Sequence, residues 1–175
     1  MTLVSTEWLN NNLSKVKIFD ASWHMPNSNR NAHKEFLNKH IPGAMFWDID
    51  EHSDKNSPFP HMLPNSDYWT RMLWSFGIEN DDHIVVYDFS DVHSSCRLWF
   101  SLKYFGHKKV SVLDGFMKRW LKENRITSNE INKDIGKFSY IDKINTKNKY
   151  KVSENFDWIK KKRQIDDNIK NNLFT

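Results

Sequence analysis

The stretch Ile84-Val85-Val86-Tyr87-Asp88 decides the fold of this chain. Its four apolar residues run without a polar break, which is typical of a strand buried on both faces of a parallel sheet, and the carboxylate of Asp88 follows them. Three further runs have the same character and alternate along the chain with helical patterns. They are Val16–Asp20, Ala44–Trp47 and Val110–Leu113. This alternation predicts an α/β domain with a largely parallel sheet.

Five helices are predicted between and after these strands. Their ranges are Thr6–Asn11, Asn31–Lys39, Asp67–Phe76, Ser95–Phe105 and Phe116–Lys122. In the third helix the apolar residues recur at three- and four-residue spacing, which gives it one apolar face to pack on the sheet. A last helical pattern contains Phe156 and Ile159, with Ser153 as its expected N-cap and Glu154 in its first turn.

The composition sets the size and class of the protein. A length of 175 residues with 38 % hydrophobic content is enough for one domain with a real core, and too little for two ordinary domains. No stretch approaches the roughly 20 apolar residues of a membrane span, and residues 1–12 lack the pattern of a signal peptide. We therefore expect a soluble, cytoplasmic protein without a membrane partner.

Charge and cysteine content argue against several kinds of partner. The formal charge is +4, but much of the excess lies in the tail at residues 160–163, which predicts a solvated helix face and no nucleic-acid site. Cys96 is the single cysteine, and the histidines lack ligand spacing. No metal or cofactor is expected.

Apolar density falls after about Asn124, and residues 129–149 are dominated by Asn, Lys, Asp and Ser. That composition is typical of a linker. We accordingly predict a domain over 1–126, a linker over 127–152, and over 153–175 either a terminal helix or the start of a second, truncated domain.

Many linked motifs resemble one family, in the same order and spacing from about Val4 to Trp120. The sequence is similar to the amino-terminal half of tandem-domain rhodaneses, the thiosulfate and 3-mercaptopyruvate sulfurtransferases. The motifs are Phe19-Asp20-Ala21-Ser22-Trp23, Arg30, Glu35-Phe36, His40-Ile41-Pro42-Gly43-Ala44, Asp48-Ile49-Asp50, the run Ser57 to Pro64, Val85-Val86-Tyr87-Asp88, Arg97-Leu98-Trp99, Phe105-Gly106-His107, Val112-Leu113-Asp114-Gly115 and Trp120.

The resemblance implies a rhodanese-like α/β fold, a five-stranded, mostly parallel sheet with helices on both faces. It also implies that a second domain carries the catalytic cysteine in a loop of converging backbone amides at a helix N-terminus. Here Asp88 stands at the matching position, and a carboxylate cannot form a persulfide. The loop that follows has no glycine, so we expect no tight amide cradle, and its Asp91 adds a second negative charge. This chain alone is predicted to be inactive, with Cys96 as a small buried side chain.

In mercaptopyruvate sulfurtransferases an Asp and a His of this domain reach the catalytic loop of the other, and Asp50 and His61 match them. An Asp that accepts a hydrogen bond from one imidazole nitrogen fixes the tautomer, so the other nitrogen can relay a proton. The prolines around His61 would stiffen its loop. An ordinary surface histidine remains the alternative, and Asp48 is expected to share the relay or merely to cap a turn.

Arg30 and Arg97 are the cationic positions of the family pattern. Pairing with carboxylates such as Glu35 or Asp20 is the favoured interpretation, and substrate contact is the weaker one.

The implied partners are a carboxy-terminal catalytic rhodanese domain and a small sulfur donor, 3-mercaptopyruvate or thiosulfate. The alternative is a stand-alone, inactive interaction module. Either way we expect an apolar face at Phe59, Met62 and Leu63, covered by the tail near Phe156, Trp158 and Ile159, or free to self-associate.

Overall fold

The computed structural model describes residues 2–131, 135–138 and 150–171. Its five strands form one sheet in the order β1-β5-β4-β2-β3, and every pair is parallel. The strands are β1 (Leu3–Val4), β2 (Lys17–Asp20), β3 (Ala44–Phe46), β4 (Ile84–Tyr87) and β5 (Val110–Leu113). The predicted fold class is confirmed, with a sheet that is parallel throughout.

Six α-helices accompany the sheet within the described residues. They are α1 (Thr6–Asn10), α2 (Ala32–Asn38), α3 (Ser66–Ser75), α4 (Ser95–Tyr104), α5 (Phe116–Lys122) and α6 (Lys162–Asn171), with 3-10 turns at Leu13–Lys15, Pro26–Ser28 and Phe156–Trp158. The side chains of Ser5, Asn31 and Asn65 cap the first three helices by accepting a backbone N–H. The predicted ends of the first five helices agree with these to within one residue.

The central strand β4 contributes side chains to two hydrophobic cores, one on each face of the sheet. Ile84 and Val86 pack with α3 and α4, whereas Val85 and Tyr87 pack with α1, α2 and α5. Successive side chains of a strand point to opposite faces, so an unbroken apolar run belongs where both faces are covered. All four residues of β4 are fully buried.

Two local predictions were wrong. The edge strand β1 was missed because it contains only Leu3 and Val4, too short for a recognisable pattern. The last helix begins at Lys162 and is not capped by Ser153. Glu154 instead accepts hydrogen bonds from Tyr104 Oη, at 2.9 Å, and from the Ser66 hydroxyl. Because these contacts hold its carboxylate against α3 and α4, Glu154 does not lie in the first turn of a helix.

Parts of the predicted linker contact the domain. Tyr150 is buried, and its hydroxyl lies 2.9 Å from Nδ1 of His107. Ser128 pairs with His40 through two backbone hydrogen bonds. Residues 132–134 and 139–149 of that linker lie outside the described residues, and the boundaries at 126/127 and 152/153 stay predictions. Within the described ranges, no helix is long and apolar enough to cross a membrane.

Candidate functional site

Asp50 lies in a turn that follows β3 at the carboxyl end of the sheet. Asp48 builds this turn, because its Oδ1 accepts the backbone N–H groups of Asp50 and Glu51 at 2.9 and 3.1 Å. Of the two roles considered for Asp48, the structure shows the turn-capping one. The Asp50 side chain is thereby presented outward, with 64 % of it exposed.

The structure brings the two candidate relay residues into contact. Nε2 of His61 lies 2.8 Å from Oδ1 of Asp50, and 28 % of the imidazole is exposed. His61 has a φ of 56°, in the left-handed region that residues other than glycine rarely adopt. Arg97 holds this backbone by donating from its guanidinium to the His61 carbonyl oxygen at 2.5 Å.

The contact determines which ring nitrogen is free. An ionised carboxylate only accepts hydrogen bonds, so Nε2 of His61 must carry the proton that it donates to Asp50. In the neutral imidazole, Nδ1 is then the acceptor. The pair can therefore take up a proton at Nδ1 and stabilise the resulting imidazolium, which is what a proton relay requires.

Trp23 is part of this arrangement, although its sequence context did not mark it as a site residue. Its indole Nε1 donates to Oδ2 of Asp50 at 2.9 Å, and its ring meets the His61 ring edge-on at 5.0 Å. The available signal was its place at the end of the Phe19-to-Trp23 motif. Trp23 follows β2 and Asp50 follows β3. Because these two strands are parallel neighbours, both side chains lie at the same end of the sheet.

The loop after β4 does form an amide cradle, which corrects the expectation from its lack of glycine. His93 adopts a φ of 51°, and the backbone N–H groups of Ser90 and Ser95 point to the Asp88 carboxylate at 3.1 and 2.9 Å. The hydroxyls of the same two serines lie 3.0 and 2.5 Å from that carboxylate. Asp88 is fully buried and itself occupies the anion position at the start of α4.

Cys96 is exposed, so the prediction of a buried thiol was wrong. It is the second residue of α4, whose inward side is formed by Ser95 and Leu98, so its side chain falls on the outer side. Partial burial and the nearby Asp88 carboxylate raise the pKa of the thiol. A raised thiol pKa disfavours the thiolate that sulfur chemistry needs.

The two arginines have different partners. Arg30 binds Glu35 through Nε at 2.8 Å and a terminal nitrogen at 2.7 Å, and also reaches the carbonyl oxygen of Phe89 at 3.0 Å. This is the expected carboxylate pairing. Arg97 was expected to pair in the same way, but it donates to a backbone carbonyl, because its position on α4 places it under the His61 loop. Substrate contact by either arginine stays a prediction.

The apolar face around His61 is smaller than expected. Phe59 and Met62 are 67 % and 46 % exposed, whereas Leu63 is partly buried against the core beside α3 and α4. The Trp158 side chain of the tail packs elsewhere, against Trp99 and Phe100 of α4. In the described part of the chain, no group of three or more His, Cys, Asp or Glu residues could hold a metal ion.

A parallel sheet with helices on both faces and polar groups at the carboxyl ends of its strands defines an open α/β domain with its site at that edge. The family model for the rhodanese-like domain matches residues 5–123. The chain therefore belongs to the rhodanese family.

Named relatives agree with this assignment. The chain is 40 % identical over 146 residues to mouse 3-mercaptopyruvate sulfurtransferase, covering 78 % of this chain and 49 % of that protein. It is 44 % identical over 120 residues to the Arabidopsis thaliana protein named thiosulfate/3-mercaptopyruvate sulfurtransferase 1, mitochondrial, covering 67 % and 32 %. The crystal structure of SseA from Escherichia coli, described among 3-mercaptopyruvate sulfotransferases, superposes with a TM-score of 0.82 at 29 % identity, covering 98 % of this chain and 63 % of that one. The chain thus spans half or less of the length of these two curated relatives.

Proposed function

We propose that this chain is the amino-terminal, non-catalytic domain of a sulfurtransferase of the 3-mercaptopyruvate or thiosulfate type. The observation that carries the proposal is the Asp50–His61 hydrogen bond, between the two residues to which the family resemblance assigns an auxiliary relay. The names of the relatives support the reaction class. Trp23 and Arg97, which contact the pair on either side, support its having a defined geometry.

The proposed reaction needs a partner domain that carries a cysteine. Its thiolate attacks the donor sulfur, the carbon–sulfur bond of 3-mercaptopyruvate breaks, and pyruvate leaves as an enolate that takes up a proton. The resulting persulfide passes its outer sulfur to a thiol or cyanide. His61, oriented by Asp50, would move the proton of the donor thiol to the departing carbon. With Asp88 at the cysteine position of its own loop, this chain alone is proposed to be inactive.

The second candidate is a catalytically inactive rhodanese-like interaction module. It is favoured by the exposure of Phe59 and Met62 on either side of His61, since exposed apolar side chains near a conformationally defined loop suit a protein partner as well as a second domain. The two candidates differ in whether the Asp50–His61 pair affects turnover. The cytoplasmic location expected from the sequence stays a prediction under either candidate.

The experiment compares the isolated chain with a fusion of this chain to the catalytic domain of a tandem-domain relative. The isolated chain should produce no thiocyanate above background, and mass spectrometry should show no added sulfur after incubation with 3-mercaptopyruvate. The fusion should turn over. His61→Ala should lower that turnover by roughly the 10²–10⁴-fold typical of a lost acid–base group, with folding almost unchanged.

Two controls make the outcomes clear. Cys96→Ser should leave the fusion unchanged, because the exposed thiol has no role in the proposed reaction. His24→Ala, at a histidine that pairs with Glu35 instead of Asp50, should have a much smaller effect than His61→Ala. A fusion indifferent to His61→Ala would remove the relay and favour the interaction module. Sulfur added to Cys96, with turnover by the isolated chain, would overturn the inactive-domain proposal.

A further inference from the structure

The Asp50–His61 pair lies too near the solvent to hold its own geometry. The Asp50 side chain is 64 % exposed, and an ion pair or hydrogen bond so close to water contributes little stability, so this carboxylate alone would sample several orientations. A relay needs a single imidazole tautomer, and the tautomer is set by the hydrogen bond that the ring makes. Some other residue must therefore orient Asp50.

Trp23 has the contacts that this task requires. It donates to Oδ2 of Asp50 at 2.9 Å while His61 lies 2.8 Å from Oδ1, so each carboxylate oxygen has its own partner. The indole also meets the imidazole edge-on, at an interplanar angle of 83°. Trp23, Asp50 and His61 thus form a closed triangle in which turning the carboxylate breaks at least one contact.

Ser94 holds the backbone of Trp23. The Ser94 hydroxyl accepts the Trp23 backbone N–H at 3.0 Å and donates to the Ala21 carbonyl oxygen at 2.7 Å. It also accepts from the Ser90 hydroxyl at 2.7 Å, and the backbone N–H of Ser90 donates to the Asp88 carboxylate at 3.1 Å. Asp88, Ser90 and Ser94 are all buried, so the connection from Asp88 to Trp23 runs through a low-dielectric region where hydrogen bonds are strong.

We propose that Trp23 is a positioning residue of the Asp50–His61 pair and that Ser94 anchors it to the buried loop beginning at Asp88. This rests on the proposed function, since only a relay depends on the tautomer. The proposal assigns the loop after β4 a structural role that does not require a cysteine. Asp88 accepts the backbone N–H groups that define this loop, and Ser94 of the loop fixes the backbone of Trp23, which orients Asp50.

The first test measures the tautomer directly in the isolated 175-residue chain. The ¹⁵N chemical shifts of the His61 ring nitrogens report which one carries the proton, at about pH 9 where ordinary imidazoles are neutral. The wild type should show mainly Nε2–H. Trp23→Phe keeps an aromatic ring beside His61 but removes the indole N–H that donates to Asp50, and should give a mixture of imidazole tautomers. Ser94→Ala should move the ¹⁵N values in the same direction by a smaller amount.

Trp99→Phe is the matched control, because the indole nitrogen of Trp99 is buried and has no hydrogen-bond partner within the described residues. This change should leave the His61 ¹⁵N values as they are. Thermal unfolding of the Trp23 and Ser94 variants checks that the domain is folded. A Trp23→Phe chain that is folded and keeps the wild-type tautomer ratio would overturn the inference.

The second test uses the fusion enzyme and separates this inference from the proposed function. Trp23→Phe should lower kcat about 10-fold with little change in KM, below the ~10²-fold that a 1 Å misplacement can cost. If His61→Ala lowers turnover and Trp23→Phe changes neither turnover nor tautomer, the positioning role is wrong and the relay stands. If Trp23→Phe shifts the tautomer while neither variant affects turnover, the relay is wrong and the positioning stands.

Discussion

Asp20 and Asp88 lie at the ends of the neighbouring strands β2 and β4, and both carboxyl groups are buried. Burial raises the pKa of Asp20 from 3.8 to about 6, while hydrogen bonds from Ser22 and Tyr87 oppose the shift and the charge of Asp88 adds to it. A carboxyl whose pKa is higher in the folded than in the unfolded chain binds a proton more tightly when folded. At neutral pH the ionised Asp20 therefore destabilises the domain.

The first prediction concerns Asp20→Asn. Between about pH 4 and pH 6 the folded chain holds more protons than the unfolded chain, so Asp20 makes stability fall as pH rises through this window. A rise of this pKa from 3.8 to about 6 corresponds to roughly 3 kcal/mol at most. The amide oxygen of the variant can still accept from Ser22, but the side chain cannot ionise. Urea unfolding at about pH 4.5 and about pH 7.5 measures the free energy of unfolding of both proteins. The value for the variant minus that for the wild type should be about 1–3 kcal/mol larger at the higher pH.

The comparison is between variant and wild type at each pH, so other titrating groups cancel. Asp157→Asn, at a fully exposed carboxyl, is the control and should change the free energy of unfolding much less than Asp20→Asn does. An Asp20→Asn difference that is the same at both pH values would mean that Asp20 does not titrate with a raised pKa.

At the scale of elements, the segment around Tyr150 belongs to the core. Its ring is buried beside that of His107, parallel to within 7°, and their side chains are hydrogen-bonded. The backbone continues past the C-terminal end of α4, where Ser153 N and Asn155 N donate to the carbonyl oxygens of Phe105 and Tyr104. A polar, linker-like composition thus precedes a stretch that is tightly packed.

The second prediction follows from this packing. Tyr150→Ala should lower the free energy of unfolding by about 3–5 kcal/mol, as other large aromatic deletions from cores do. Tyr150→Phe should cost about 1–3 kcal/mol, because it leaves a buried nitrogen of His107 without its partner. Phe156→Ala, at a side chain that is 71 % exposed, should change stability by only about 0.5 kcal/mol. Urea titrations measure all three, and equal losses for Tyr150→Ala and Phe156→Ala would contradict the assignment.

Elements with strong periodicity could be predicted from the sequence, and elements held by tertiary contacts could not. Strand β4 and helix α3 carry unbroken or regularly spaced apolar residues, and their predicted positions agree with the structure to within one residue. The helix predicted after Ser153 failed because the contacts of Glu154 with α3 and α4 override a local capping pattern.

The same distinction applies to the site. Asp50 and His61 could be selected because they occur in motifs, but Trp23 could not be selected for a contact that spans 27 residues of sequence. The amide cradle was missed for another reason. Absence of glycine suggested that the chain could not adopt a left-handed φ, yet His93 adopts one, held by stacking on Phe116 at 4.8 Å.

At the scale of the whole molecule, four of the exposed apolar side chains lie on the segments that build the site. Met25 follows Trp23, Phe59 and Met62 flank His61, and Val92 lies in the loop after β4. Each is at least 46 % exposed. Exposed apolar side chains on the segments next to a polar site suit a surface that meets another protein.

The last prediction is that the isolated chain self-associates through this surface. Sedimentation velocity at several concentrations should show the weight-average sedimentation coefficient rising with concentration for the wild type. The double change Phe59→Ser and Met62→Ser should suppress the rise without lowering stability, since both side chains are exposed and contribute little to the core. Ile169→Ser, on α6 at 77 % exposure, is the matched control and should associate like the wild type. If only Ile169→Ser suppressed the rise in sedimentation coefficient, the associating surface would lie on α6 and not beside His61. A wild-type chain that is monomeric at every concentration would show that these exposed side chains do not drive association.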